Sequence, residues 1–401
     1  MSGVHAGPRP CVVLAAARAP WEPTLLGVLA EAGMVVLRRC VDLADLLAVV
    51  GAGQADVAVL SADLAGLDAD VVRRLGAHDV RPLVVAEPGA HLERMSRLGV
   101  PVVAAPEDVP AAVEALLAGP ALGGNGGGLG HGVPAGDAGE VVAVWGATGA
   151  PGRTTVALGV AAALADAPDA AGVTLLDVDP WGGAVGQALG VLDEASGLLS
   201  AARLANEGNL DATTLASCLR RVGGRLDVLT GLPRPDRWVE VRAGVVEDVI
   251  GLAARDGSTV VVDCGFALER DGAALDRNTM TLEALALAGT VVVVGSAEPT
   301  GLSRLVRALV ELGDVVPAAR VHVAVNRMRD SLGWSRHDVT AMVEGFAPAA
   351  PVHVLPLDVA AADRAARDGV PVTALTETPL ARALAGLAAQ LPNSRYSPAK
   401  V

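Results

Sequence analysis

One stretch of this chain has residue types and spacing suited to holding phosphate. Gly146-Ala147-Thr148-Gly149-Ala150-Pro151-Gly152-Arg153-Thr154-Thr155 follows the apolar run Val141–Trp145 at once and leads into a helical pattern. Small residues between a strand and a helix let backbone N–H groups approach phosphate oxygens, and the helix N-terminus adds the positive end of its dipole. Against the P-loop pattern G-x-x-x-x-G-K-[ST] the stretch departs twice, with Ala147 at the first glycine and Arg153 at the lysine. Thr154 falls where a hydroxyl would reach Mg2+, while Pro151 removes one backbone donor from the cradle. Taken alone, the loop also fits an ordinary glycine-rich strand-to-helix turn.

Two acidic strand ends change that balance. The apolar run Val173–Leu176 ends in Asp177-Val178-Asp179-Pro180, and Thr259–Val262 ends in Asp263-Cys264-Gly265. Ligands of a parallel sheet bind outside the carboxyl ends of its strands, so these carboxylates can converge beside the loop. There they can orient a hydrated Mg2+ and an attacking water. A single aspartate ending a strand reads more simply as a turn former or helix cap. Three such elements in the right order read as a nucleotide site, and ATP with Mg2+ is the expected cofactor pair.

At this point residues Glu140 to Leu391 resemble the MinD/ParA group of P-loop ATPases, whose deviant Walker A loop reads KGGxGKTT and aligns with Thr148 to Thr155. The resemblance implies that Gly149, Ala150, Pro151, Gly152, Arg153, Thr154 and Thr155 cradle the phosphates. It implies that Asp179 helps activate the attacking water, with Arg153 assisting at the phosphates, and that Thr154, Asp177 and Asp263 act toward Mg2+. Asn326 matches an asparagine that contacts adenine, and Leu355-Pro356-Leu357-Asp358 resembles a loop that closes over the base, with Pro356 at its centre. For Asn326 and Pro356 plain turn chemistry is the competing reading. Gly231 to Arg237 falls where the family carries a nucleotide-proximal loop. The family's early signature lysine, which reaches across an ATP-dependent homodimer to the partner's phosphates, is Thr148 here, and Lys-to-Arg at 153 is not conservative in a tight cradle. ATP binding is therefore expected more firmly than ATP hydrolysis.

These residues need a sheet to bring them together, and the chain supplies two. From Cys11 to Leu117, strand-like runs (Cys11–Ala15, Val35–Arg39, Val57–Leu60, Pro82–Val85, Val102–Ala104) alternate with helical segments such as Trp21–Ala32 and Asp108–Leu117. This α/β pattern predicts a flavodoxin-like domain over residues 1–118. Residues 119–139 hold almost nothing to bury and read as a glycine-rich flexible linker. The alternation then restarts, predicting a P-loop NTPase domain over 140–392, with helices on both faces of a parallel sheet and a polar tail at 393–401. Its expected strands are Val141–Trp145, Val173–Asp177, Leu226–Leu229, Thr259–Asp263, Thr290–Val294 and Val321–Val325, and its helices include Thr154–Ala165, Val245–Ala254, Gly301–Leu312 and Pro379–Leu391.

The first domain resembles response-regulator receivers in its βα order but lacks their phosphorylation residues: Ser61 ends the third strand run, Ala15-Ala16-Ala17 closes the first and Ala104-Ala105-Pro106 the fifth. It reads as a pseudo-receiver for docking or dimerisation. A receiver-like domain, a linker and a MinD-like ATPase in that order resemble the CpaE/TadZ proteins of Flp (Tad) pilus assembly and septum-site-determining proteins of actinobacteria. That resemblance implies a positioning role with protein partners such as a pilus secretion ATPase. The alternatives are a partitioning ATPase that tracks DNA and a degenerate scaffold without turnover.

Composition narrows the field. The chain has 401 residues, 52% hydrophobic and 2% aromatic, with a net charge of −14, the wrong sign for attachment to a phosphate backbone by bulk charge. Of 31 basic residues only Lys400 is a lysine, which excludes mechanisms that need a lysine inside a folded site. Four scattered cysteines (Cys11, Cys40, Cys218, Cys264) and seven dispersed histidines lack ligand spacing and are expected to be core thiols and isolated side chains. No signal peptide is recognisable, and the longest apolar stretch, Ala284–Ala297, is short of a bilayer span. A cytoplasmic protein is expected, recruited to a pole or septum by partners and to membranes only indirectly.

Overall fold

The computed structural model describes residues 10–16, 19–87, 95, 98, 100–118, 139–168, 170–191, 195–270, 276–316 and 319–391. The expected linker, apart from Gly139, and the expected tail with Lys400 lie outside the described residues. Two compact units carry the two sheets.

In the first unit, β1 (Cys11–Ala15), β2 (Val35–Arg39), β3 (Val57–Ser61), β4 (Arg81–Val85) and β5 (Val102–Ala104) form a wholly parallel sheet in the order β2-β1-β3-β4-β5. This is the flavodoxin-like order. Successive residues of β1 and β3 enter opposite cores: Val13, Ala58 and Leu60 pack on one face, and Val12, Leu14, Val57 and Val59 on the other. Covering both faces is why the central strands read as unbroken apolar runs. At the edge, β2 keeps Val35 and Leu37 exposed.

The second unit contains β6 (Val141–Trp145), β7 (Val173–Asp177), β8 (Arg220–Gly223), β9 (Leu226–Leu229), β10 (Thr259–Asp263), β11 (Thr290–Ser296), β12 (Arg320–Met328) and β13 (Val352–Pro356). They form one sheet in the order β13-β12-β11-β6-β10-β7-β9-β8, parallel except for the β8–β9 pair. Each strand expected from the apolar runs is present. Two more were not expected: β8 is polar and largely exposed, and β13 carries a buried histidine, His353, among apolar residues and ends on a proline. Leu355 and Pro356, expected within a closing loop, complete β13, and only Leu357-Asp358 lies beyond the strand.

The helix Arg153–Ala165 packs against the sheet and against the helix Pro379–Ala388, both contributing to one core with Val160, Leu384 and Leu387 fully buried. Burial of that size is worth about 1.5–3 kcal/mol per large aliphatic side chain. Gly159 makes the packing possible, since a Cβ there would lie 2.6 Å from Leu384 Cδ1. The apolar face of Pro379–Ala388 is thus used inside the fold. Among the described residues, no helix is long and apolar enough to cross a membrane.

Candidate functional site

The topology creates the crevice. From β6 the chain passes through the helix Arg153–Ala165 to β7, leaving a space that β10 fills, and β11 then starts the other flank of β6. The carboxyl end of β6 is therefore where the strand order reverses, the place at which open α/β sheets bind ligands.

The loop leaving β6 is tightly shaped. Gly149, Ala150 and Gly152 have φ of 103°, 50° and 102°. Left-handed backbone is costly for alanine, and such local strain gathers at ligand-binding turns, where successive N–H groups can form an anion-binding concavity. The available space also demands the glycines: a Cβ on Gly146 would strike the Val294 carbonyl, and one on Gly152 would lie 2.5 Å from Asn326 Nδ2.

Arg153 begins the helix and folds back over this loop. Its Nη1 donates to the carbonyls of Gly146 and Ala147 at 3.2 and 3.3 Å, and its Nε to Cys264 O at 3.2 Å. Its Nη2 pairs with Asp179 Oδ2 at 3.4 Å, with both side chains 13% exposed. The planar fork satisfies four acceptors, which a lysine ammonium could not span in this way. Beside it, Thr154 Oγ1 donates to Asp263 Oδ2 at 2.7 Å. Thr155 is half-buried in the same first turn.

Asp263 and Asp177 are register partners on β10 and β7, and each is 1% exposed. Burial, followed by the Asp177 charge, pushes the Asp263 carboxyl well above the usual carboxylate range. Burial likewise raises Asp177 to about 7, although its Oδ1 accepts from Asp179 N at 3.3 Å and its Oδ2 from Val185 N at 3.0 Å. Gly183 and Gly231 leave room for this carboxyl, since a Cβ on either would come within 2.7 Å of it. The stretch starting at Gly231 therefore does reach the acidic end of the sheet. Asp179 turns its second oxygen, Oδ1, to Trp181 N at 2.8 Å. Trp181 continues into a small aromatic group, 5.2 Å from the Phe266 ring centroid and under the Arg277 guanidinium at 4.0 Å.

The other flank is supplied by β11 and β12. Asn326, 8% exposed, donates through Nδ2 to Pro151 O at 2.9 Å and accepts from Arg327 N at 2.8 Å, so its amide braces the loop. Arg327, at φ 63°, donates to Ala150 O at 2.8 Å. Pro356 lies farther out, in a cleft of about 470 Å³ lined also by Met328, Arg329, Trp334, Arg336 and Leu357. The sequence-predicted residues thus fall into three groups: the loop with Asn326, the acidic set Asp177, Asp179 and Asp263, and Pro356 in the neighbouring cleft. Sequence reasoning missed Arg304, whose guanidinium lies over Gly149, and Gly183, whose need is visible only once Asp177 is placed.

The donor set suits a hydrated divalent cation. Asp263 Oδ1 is buried without a hydrogen-bond partner beside the Thr154 hydroxyl, an orphan that a cation's water would satisfy. Among the described residues no three His, Cys, Asp or Glu side chains cluster to hold a metal ion directly. Binding through water and phosphate is the mode these residues fit.

No family model matches the sequence. An uncharacterized protein of Mycobacterium tuberculosis, found in two strains, is 36% identical over 125 residues, which are 31% of this chain and 33% of the relative, so the match spans about a third of the relative's length. Among solved structures, a ParA family ATPase from Chlorobium tepidum aligns over 63% of this chain and all of its own, with TM-score 0.53 and 19% identity. The cell division ATPase MinD of Pyrococcus furiosus aligns with TM-score 0.51 and 18% identity over 63% of this chain and 97% of its own. The septum site-determining protein MinD of Pyrococcus horikoshii, solved with Mg-ADP, gives TM-score 0.51 and 16% identity over 65% of this chain and 99% of its own. The chain therefore contains the MinD/ParA P-loop fold.

Proposed function

We propose that the second unit binds ATP with Mg2+ on the loop 146–155, and that the chain is a MinD/ParA-type positioning ATPase of the CpaE kind, serving pilus assembly or septum placement. The observation that carries the nucleotide reading is the Thr154–Asp263 hydrogen bond of 2.7 Å at the start of the helix, beside the unpartnered Asp263 Oδ1. When bound, Mg2+ supplies neutralisation of phosphate charge. Thr154 and Asp263 would hold it, Asp263 through water, with Asp177 behind them as the register partner of Asp263. Arg153, which donates to the Gly146 and Ala147 carbonyls, would exchange them for phosphate oxygens. Asp179 can take a proton from water only after releasing Arg153, so nucleotide binding and catalytic readiness are linked through one ion pair.

That linkage, with Thr148 in place of a lysine, favours slow turnover over fast. The first unit serves as a pseudo-receiver that docks a protein partner such as a pilus secretion ATPase, and the second pairs with its copy in an ATP-dependent homodimer. The buried Ser61 at the end of β3 and the alanines at the ends of β1 and β5 support the pseudo-receiver reading of the first unit.

Calorimetric titration of the whole protein with ATP, with and without Mg2+, tests the nucleotide reading. Mg2+-dependent binding that is weakened in Arg153→Ala and Thr154→Ala is the expected result. A wild-type protein that takes up no ATP under any condition would sink it.

A further inference from the structure

A polyphosphate bound at residues 146–155 needs positive charge, and the loop has little to give. Residue 148 is threonine, and the charge of Arg153 is shared with Asp179 at 3.4 Å. Two more arginines, Arg304 and Arg327, stand at the loop's outer rim, and Arg329 lies beyond them in the neighbouring cleft. Arg329 is already matched, pairing with Glu298 at 2.8 Å. Arg327 donates to Ala150 O and has no ion pair among the described residues. Arg304, exposed on the helix Pro299–Val315, has no ion pair or hydrogen bond among the described residues either. Its guanidinium lies against the open side of Gly149, where a Cβ would collide with Nη1 and lie 3.3 Å from Cζ. Gly149, at φ 103°, is therefore glycine both for its backbone and for the arginine beside it.

Resting on the nucleotide reading above, we infer that Arg304, with Arg327 beside it, binds the phosphates in cis and makes the site selective for a nucleoside triphosphate over a diphosphate. The positive charge absent at residue 148 is supplied next to Gly149 by a side chain 155 positions further along the chain. A guanidinium suits this task, because it is permanently charged and can meet two phosphate oxygens at once. An exposed guanidinium held against a loop that has threonine at its own lysine position is free to make charge-assisted contacts with a bound triphosphate.

The test compares Mg-ATP and Mg-ADP binding to wild type, Arg304→Ala, Arg304→Lys and the double variant Thr148→Lys/Arg304→Ala, with thermal unfolding as the folding control. Loss of one charge-assisted contact should weaken ATP binding by roughly 10- to 100-fold and ADP binding by much less. The lysine at 304 should recover part of the loss, and the lysine at 148 should recover it from the other side of Gly149. Wild-type binding of ATP with Arg304→Ala unchanged, or with ATP and ADP weakened equally, overturns the assignment while leaving the nucleotide reading intact. No binding of either nucleotide by the wild type overturns both.

Discussion

Replacing Asp177 by asparagine should change how the stability of this protein depends on pH. The carboxyl is 1% exposed and raised by burial from 3.8 to about 7, so the folded state holds a proton that the unfolded chain releases near pH 4. Because the folded value is the higher one, its favourable contribution is complete below about pH 4 and is lost as pH rises toward 7. A gap of about 3 units at ~1.4 kcal/mol each gives roughly 4 kcal/mol in all, about half of it above pH 5.5. The asparagine side chain does not titrate and contributes no such pH dependence. Its amide can accept from Asp179 N or Val185 N but not both, which costs about 1–3 kcal/mol at every pH. Urea unfolding followed by tryptophan fluorescence, with EDTA present to exclude cations, would measure this. Trp145, fully buried at the end of β6, is a suitable reporter. Between about pH 5.5 and 8 the difference between the proteins should move about 2 kcal/mol in favour of Asp177→Asn. Parallel pH profiles would refute the reasoning, since they would mean that Asp177 is ionised throughout or is not desolvated.

Thr154→Ala removes the hydrogen bond that the Thr154 hydroxyl gives Asp263 Oδ2 and should abolish most of the Mg2+ dependence of ATP affinity, read by titration with and without the metal. Gly152→Ala would put a Cβ 2.5 Å from Asn326 Nδ2 at a left-handed φ, and a loss of roughly 2–4 kcal/mol in chemical unfolding is expected. Gly159→Ala places a Cβ 2.6 Å from Leu384 Cδ1, so overpacking of about 1–3 kcal/mol should appear as a lower melting temperature with unchanged nucleotide affinity at low temperature. Incubation with acetyl phosphate should leave the protein's mass unchanged, because Ser61 ends β3; stable modification of a carboxylate in the first unit would contradict the pseudo-receiver reading.

The parts of the site that the sequence disclosed are those whose physics is local. Val141–Trp145 and Thr259–Asp263 are buried on both faces, and such strands write themselves as apolar runs ending where the sheet ends. β8 and β13 escaped notice because an exposed edge strand, and a strand whose register places His353 beside Ala324, need no such run. Asn326 was legible through the resemblance as an adenine contact, with turn chemistry as the alternative, but its place inside β12 and its amide's choice of Pro151 O depend on how closely β12 follows β11.

Charge is the feature that local reading handles least well. The single lysine, Lys400, reveals that positions 148 and 153 lack the ammonium groups of the resembling family, and so poses a deficit. It cannot say what meets that deficit, because nothing about Arg304 distinguishes it in sequence from Arg307 one turn later, whose guanidinium reaches Ser303 instead. Only the position of the helix Pro299–Val315 after β11, the strand next to β6, sets one of these arginines over Gly149. If that placement is what lets the loop hold a triphosphate, a lysine at the early signature position, residue 148, is dispensable here because a neighbouring helix delivers a longer cation to the same rim. The cost would fall on turnover rather than on binding, since a charge supplied in cis is present in each protomer whether or not a partner has docked.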